Sequence, residues 1–442
     1  MENEVKSKLV KRIVLRIEVH LVSPLSVSSG ENEWTDSDLL RDKNGRPFVA
    51  GSSLAGAMRA YLEKDRNDHC LFGYSGKDDT GRMSSLFISD MFFIDKDTVS
   101  SSVRDGVKLT ADKVAESGSK YEIEILNSGA KAFFYMELVV RETDCETEMR
   151  KEISRILSGF QSGEIRLGSK KTRGFGEIAI DSVKRHEFTR DNYCEYKDVY
   201  SNNHFKSMND EKDDWFKISG TNNKMIHIAV PLKMEGGISI RQYAAKKNEP
   251  DFVHITDGET PVIPGSSFAG AIRHRMKKIM KKILQELQVD GFELPMKANE
   301  IIDIAFGYVD GEKACSSNII INEAKIQNAT SLIMTRTGIS RFEAAAKKGA
   351  LYTEKTYVNG TFTLNILVRK GPYANDQKWI VGLLLLAIKD LQNGLLAVGG
   401  QTAIGRGVFS AAEDLKIDGE SGKENEYIAA SIANLQSRKE QA

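Results

Sequence analysis

The chain has no excess of charge of either sign: 62 lysines and arginines stand against 62 aspartates and glutamates in 442 residues. That balance excludes a uniformly basic nucleic-acid coat, but it permits local basic stripes, which matter more for gripping a phosphate backbone. Cysteine is scarce too. The four present (Cys70, Cys145, Cys194, Cys315) include no C-x-x-C pair, which argues against a disulfide framework or a zinc site and for reduced cytosolic thiols. His69 beside Cys70 would be half a metal site, with no partner pair elsewhere. Long apolar runs are missing. The longest, Trp379 to Ile388, is too short to cross a bilayer. Met1 to His20 carries charges throughout and lacks the apolar stretch of a signal peptide. A soluble, cytoplasmic protein with no membrane association is expected.

What the sequence does contain is one unit written twice. Hydrophobic residues make up 40% of the chain, enough for two cores. Residues 47–59 read PFVAGSSLAGAMR and residues 261–273 read PVIPGSSFAGAIR, an offset of 214 (265 − 51). Phe72-Gly73-Tyr74 returns as Phe306-Gly307-Tyr308 at 234 (306 − 72). Ser84-Ser85 returns as Ser316-Ser317, and Arg104-Asp-Gly-Val as Arg336-Thr-Gly-Ile, both at 232 (316 − 84; 336 − 104). Gly168-Ser-Lys-Lys-Thr-Arg-Gly-Phe-Gly176 is matched by Gly399-Gly-Gln-Thr-Ala-Ile-Gly-Arg-Gly407 at 231 (399 − 168). Five anchors in one order with a single jump identify a duplication, with one insertion in the second copy before its Phe-Gly-Tyr. The organisation expected is a first unit at 1–189, a linker or surface insertion at 190–224, a second unit at 225–412, and a polar tail at 413–442 with the makings of a helix.

Each copy reads as α+β. Arg12 to Leu21 and Met225 to Leu232 alternate apolar and polar residues, as strands do. The Gly-Ser-Ser segments open helices, with Leu54, Met58, Tyr61 and Leu62 on one face and the serines suited to N-capping. Phe133 to Val140 and Thr361 to Val368 read as strands, and Glu146 to Leu157 and Trp379 to Leu391 as helices. Last strands follow at Glu177 to Ile180 and Val408 to Ala411. The order β-α-β-α-β, with a long insertion, fits a ferredoxin-like or RRM-like unit.

The glycine-rich loops follow a helix and lead into a strand, and neither contains G-K-S/T, so they are not nucleotide-binding fingerprints. Helix starts at Ser52, Ser53, Ser266 and Ser267 offer free N–H groups to an anion, and Arg59 and Arg273 lie about two turns along. The run Arg273, His274, Arg275, Lys277, Lys278, Lys281, Lys282 is a solvated basic face or a contact surface. Asp42 and Asp257 begin turns (Asp-Lys-Asn-Gly and Asp-Gly), where aspartate is favoured locally. Asp36 and Asp251 stand six residues earlier in both copies (42 − 36; 257 − 251), where no turn requires them. Asp38 has no acidic counterpart, since Val253 takes its place.

The P-x-x-P/A-G-S-S-L/F-x-G-x-x-R helix start and the closing G-x-x-x-x-x-G-x-G loop resemble the RAMP superfamily of CRISPR-associated proteins. Arg336 to Val368 resembles the thumb region of backbone subunits of type III effector complexes, and Arg104 to Val140 is a looser copy. The resemblance spans residues 10–185 and 225–412. The departure from pattern is the fusion of two units that are usually separate chains. The resemblance implies a subunit that binds CRISPR guide RNA, meets single-stranded target RNA and assembles with other effector subunits. It implies that the glycine-rich loop lies on the guide, so that Lys170, Lys171, Arg173 and Arg406, with Arg104 and Arg336, contact RNA. It further implies that Asp36 and Asp251 cut target RNA through the neighbouring 2′-hydroxyl, each holding a divalent metal ion (Mg or Mn) with phosphates and water completing the shell. His254 would be either an auxiliary base or a surface strand residue. A non-cleaving structural subunit is the alternative, and a guide-processing endoribonuclease using His274 is disfavoured because Ala60 stands at that place in the first copy.

Overall fold

The computed structural model describes residues 8–28, 35–62, 71–75, 81–94, 99–110, 114–201, 203–218, 224–243, 250–286, 294–311, 313–371 and 378–440. His69 and Cys70 lie outside the described residues. The chain divides into two compact units, one of residues 1–106, 121–171 and 175–223, the other of 107–120, 172–174 and 224–442.

The first unit runs β1 (Leu9–Leu21), α1 (Gly51–Leu62), β2 (Leu86–Ile88), β3 (Met91–Phe93), a hairpin of β4 (Ser101–Gly106) and β5 (Tyr121–Leu126), β6 (Lys131–Arg141), α2 (Glu146–Gln161), β7 (Ile178–Phe188) and α3 (Lys212–Ile218). The second runs β8 (Met225–Glu235), β9 (Phe252–His254), α4 (Gly265–Glu286), α5 (Leu294–Phe306), β10 (Ile319–Ile321), a hairpin of β11 (Thr330–Arg336) and β12 (Tyr352–Val358), β13 (Thr361–Arg369), α6 (Lys378–Gln392), β14 (Val408–Ala411) and α7 (Glu424–Glu440).

In the first unit β1 lies between β7 and β6, and β2 and β3 pair on the far side of β6. In the second, β8 lies between β14 and β13, with β10 beyond β13. Both sheets therefore follow the order fourth, first, third, second with antiparallel pairing, the ferredoxin-like βαββαβ unit. The sequence reading has one strand fewer, because β2 and β10 are three-residue segments too short to show an alternation.

The alternation of β1 decides which face is core. Ile13, Leu15 and Ile17 are 0% exposed and pack with Met149, Ile153 and Ile156 of α2. In β8, Ile228, Val230 and Leu232 do the same against Ile380, Leu384 and Ile388 of α6. Each such side chain contributes about 1.5–3 kcal/mol by area, so slipping either strand by one residue would forfeit several of them at once. The insertion in the second copy goes into a longer helix, 22 residues in α4 against 12 in α1, and into α5.

The segments expected as linker and tail are packed extensions of their units. After β7, Val199 and Phe205 bury with Val14, Tyr135 and Phe188 on the face of the sheet opposite the helices. There the buried carboxylate of Glu137 accepts from the guanidinium of Arg12, from Tyr196 Oη at 2.9 Å and from Tyr200 Oη at 2.6 Å. Burial and that carboxylate push both phenol pKa values up. Helix α3 then lies on α2, with Trp215 2% exposed and its carbonyl accepting Ser154 Oγ–H. The second unit repeats the arrangement: α7 lies on α6, and Ser431 Oγ–H donates to the carbonyl of Trp379. The charges in both segments conceal a few aromatic anchors.

The contact of α7 with α6 depends on Gly382, where a Cβ would strike the carbonyl of Tyr427 and Oγ of Ser431. In an isolated helix Gly→Ala would stabilise by about 1 kcal/mol. Here Gly382→Val is expected to destabilise by about 1–3 kcal/mol through overpacking, read as a lower urea midpoint and earlier proteolytic release of α7. A raised midpoint would show that α7 does not hold this position.

Candidate nucleic-acid interface

The two Gly-Ser-Ser helices start earlier than N-capping serines would allow, with Ala50 and Pro264 at the cap positions. Gly51 and Gly265 are already helical, and a Cβ at either would meet the strand carbonyl of Ile88 or Ile321. That close approach demands glycine and shifts the serines into the first turn. Ser52, Ser53 and Ser266 are exposed there and Ser267 is half-buried. Capping comes instead from the carbonyls of Ala50 and Pro264, which accept the N–H groups of Ser53 (2.9 Å) and Ser267 (3.0 Å), and from Asp90 Oδ1, which accepts the Gly51 N–H at 2.7 Å. Arg59 is half-buried. Arg273 donates to Asp303 at 2.6 Å and Arg275 to Asp390 at 2.6 Å, so part of the basic run on α4 holds the unit together.

Each glycine-rich loop contains one residue in the left-handed region that is not glycine: Lys170 (φ 53°) and Gln401 (φ 58°), 231 apart (401 − 170). Both reach the base of their unit's hairpin. Lys170 Nζ sits 4.1 Å from the ring centre of Tyr121, and Gln401 Nε2 donates to Glu354 Oε2 at 3.0 Å. Lys171 is exposed and Arg173 half-buried, in a short 3-10 turn.

The aspartates are also at the hairpin base, in the same way twice. Glu122 N–H of β5 donates to Asp36 Oδ2 at 2.7 Å, and Thr353 N–H of β12 donates to Asp251 Oδ2 at 2.7 Å. Both aspartates are exposed. The residue after each pairs in parallel with the hairpin strand: Ser37 with Ile123, and Phe252 with Glu354. Asp38 is occupied locally by Thr35 Oγ1–H at 2.5 Å. Asp42 accepts the N–H groups of Asn44 and Arg46, both at 2.8 Å, the turn role read from the sequence. Asp257 is buried with Lys325 Nζ at 3.5 Å.

The hairpin strands correct one register. Tyr121 pairs with Gly106 and Tyr352 with Arg336, so Arg336 occupies the place of Gly106, two residues beyond Arg104. Arg104 is 4% exposed on β4. Arg336 instead joins a cluster that sequence reasoning missed. Glu354, 1% exposed, receives Arg406 Nη2 at 2.9 Å, Arg241 Nη2 at 2.9 Å and Arg336 Nε at 3.6 Å, besides Gln401. Arg241 lies over the rings of Phe252 (4.7 Å) and Tyr352 (5.5 Å). Burial, with Arg336 and Arg241 nearby, lowers the Arg406 pKa against the pull of Glu354. The same places in the first unit are apolar: Ile123 and Phe175 stand 231 before Glu354 and Arg406 (354 − 123; 406 − 175) and bury together with Ile125. That paired exchange was present in the sequence and was the signal for the cluster. Beyond these bases, the hairpin tips expose apolar side chains, Val107, Leu109 and Val114 in one and Ile339, Phe342 and Leu351 in the other.

Among the described residues no three His, Cys, Asp or Glu side chains gather as a metal set. A divalent cation at Asp36 or Asp251 would have one carboxylate, which fits a hydrated ion completed by RNA phosphates and not a dedicated protein cage. Among the described residues, too, no helix is long and apolar enough to cross a membrane, and Cys145, Cys194 and Cys315 are exposed free thiols.

A model of the RAMP superfamily matches residues 18–179 and again residues 239–410. The CRISPR system Cms endoribonuclease Csm3 of Streptococcus thermophilus is 30% identical over 172 residues, which cover 34% of this chain and 76% of that protein.

His254, three residues past Asp251, is 3% exposed, so it is neither a surface residue nor placed to act as a base. Its Nδ1 accepts the Ile240 N–H at 3.0 Å and its Nε2 donates to the Val262 carbonyl at 2.9 Å, which fixes a neutral tautomer. Burial outweighs that second bond and lowers its pKa to about 4. The unfolded chain takes up this proton near 6.5, so the contribution is complete above that pH and is lost as pH falls toward 4. A loss of about 2 kcal/mol by pH 5 is expected from this group. Urea midpoints at pH 7.5 and 5 should show it, and His254→Gln should be weaker at pH 7.5 but flatter with pH. An equal slope in the variant would mean that His254 is not the titrating group.

Proposed function

Because the chain belongs to the RAMP superfamily, in two tandem copies, we propose that it is a guide-RNA-binding backbone subunit of a type III CRISPR effector complex and cuts the paired target RNA once per unit, beside Asp36 and Asp251. The observation that carries this reading is the duplicated seat of those carboxylates. Exposed aspartates recur at one place in both units, each fixed by a 2.7 Å bond from the hairpin strand. Fold-keeping residues are rarely both exposed and so alike in two diverged copies. The apolar hairpin tips, with Phe342 fully exposed, suit a wedge between base-paired segments that displaces one nucleotide beside the aspartate. Sequence would be read by pairing, and the protein would follow shape and backbone.

The chemistry needs little from the chain. The 2′-oxygen attacks the adjacent phosphorus, the bond from phosphorus to the 5′-oxygen breaks, and a 2′,3′-cyclic phosphate and a 5′-hydroxyl result. The carboxylate orients or accepts the 2′-hydroxyl proton, and the departing 5′-oxygen takes a proton from water. A divalent cation, Mg or Mn, held by Asp36 or Asp251 with RNA phosphates, would supply charge for the pentacoordinate phosphorus. Lys170 and Lys171 in the first unit, and Arg336 and Arg406 in the second, supply fixed positive charge near the two hairpin bases.

One observation favours a second reading, a structural subunit that does not cut: each aspartate already has work to do in pinning its hairpin. Asparagine separates the two, because it keeps an oxygen for the backbone N–H and removes the charge. Asp36→Asn should lower cutting at one position by on the order of 10²-fold or more and spare the other, and Asp251→Asn should do the converse. The double variant should bind target and leave it whole, and chelation should stop both cuts. Unchanged cutting in both variants would leave the structural reading. Loss of both cuts from one substitution would point to a single composite site.

A further inference from the structure

We infer that the arginine cluster of the second unit is a seat for one phosphodiester of the bound RNA, and that the first unit has no such seat. The inference rests on the RNA-binding reading and adds three residues to it, Arg241, Glu354 and Gln401. Among the described residues Arg241, Arg336 and Arg406 surround a single carboxylate, so the cluster they form carries a surplus of two positive charges. Charges withdrawn from water are costly unless paired. Arg406 is 7% exposed, and among the described residues its Nη1 is buried without a hydrogen-bond partner.

Glu354, 1% exposed, has a fixed place in the strand and cannot neutralise three guanidinium groups. Arg241 and Arg336 remain about one-third open, at 34% and 32%. One phosphodiester reaching them would offset one of the two surplus charges, and its oxygens match the planar fork of a guanidinium. Gln401 is oriented by the same carboxylate. Glu354 only accepts, so the amide nitrogen must face it, and Oε1 points elsewhere as an acceptor with no hydrogen-bond partner among the described residues. A ribose hydroxyl is the donor that an RNA strand would bring to such an oxygen. The cluster adjoins Asp251, because Thr353, whose N–H holds that aspartate, precedes Glu354 in β12. Held there, the phosphate registers the strand beside the carboxylate. In the first unit Ile123 and Phe175 fill the same places with apolar packing.

The test uses the full chain, an unstructured single-stranded RNA and, separately, inorganic phosphate. Arg241→Gln and Arg336→Gln should each weaken RNA binding about tenfold near 0.1 M salt and lower the salt slope by about 1. Lys378→Gln, which removes a charge paired with Glu426 on the far helix, should change neither. Phosphate should raise the Tm of the wild type more than that of either arginine variant. Unchanged affinity and slope in both arginine variants would overturn the inference, even if both were less stable. If the wild type binds no RNA, the RNA reading falls and phosphate alone decides the seat. A Tm shift lost in Arg241→Gln then sustains an anion seat, and equal shifts overturn it.

Discussion

Each unit depends on its first strand being paired along both edges. β1 meets β6 and β7 over nearly its whole length; β8 meets β13 along its length, and on its other edge β14 pairs with Leu232 to Glu235 while Lys416 and Ile417 pair with Ala229 and Ile228. A strand so placed satisfies its backbone on two sides, and it can do so only in the register that turns Ile13, Leu15 and Ile17, or Ile228, Val230 and Leu232, toward the helices. The glycine-rich loop follows from that constraint, because it hangs on the chain leaving the same strand. Ser169 N–H donates to the Ser26 carbonyl and Gly400 N–H to the Ser239 carbonyl, both at 2.8 Å. The segment with the aspartate leaves from there too. Loop, aspartate and hairpin base therefore meet because one strand fixes where all three begin.

On that shared frame the two copies have diverged by linked changes. Ile123 with Phe175 and Glu354 with Arg406 are two solutions to one packing problem. A half-exchange that kept Arg406 without Glu354 would leave a buried arginine without its carboxylate, at a cost of about 3–5 kcal/mol. The exchange therefore comes as a pair. Once the glutamate is in place it draws in Arg241, Arg336 and Gln401 on one carboxylate, while at the first hairpin base Ile123 and Phe175 stay packed together beside Arg104 and Tyr121, with Lys170 over the tyrosine ring. The copies share their aspartates and differ in the charge around them.

The extensions carry a related lesson. Residues 193–218 and 424–440 mix charged, polar and apolar residues without the alternation that marked the core strands, and so read as surface. What places them is a handful of anchors: Tyr196, Tyr200, Phe205 and Trp215 in one, Tyr427, Ile428 and Ser431 in the other. Each unit therefore runs on through a further helix, α3 over α2 in the first and α7 over α6 in the second.

Much was legible before any coordinates. Period-two alternation located β1 and β8 to within a few residues, because burial of one face acts on every second side chain, and β6 and β13 were placed as apolar strand segments. The duplication and the α+β class followed from ordered anchors, and Asp36 and Asp251 stood out because no turn explained them. Three-residue strands left no periodic trace. Nor did the start of each Gly-Ser-Ser helix, which is set by a strand carbonyl pressed against Gly51 or Gly265. The surroundings of His254 were hidden as well, since its bonds run to Ile240 and Val262 in other segments. Sequence determined which residues must be inside and which acids lack a local reason to exist. Tertiary structure decided what those residues face, because a hydrogen bond from Thr353 to Asp251, or Arg241 and Arg406 on Glu354, joins positions about 50 to 110 residues apart that no local pattern connects.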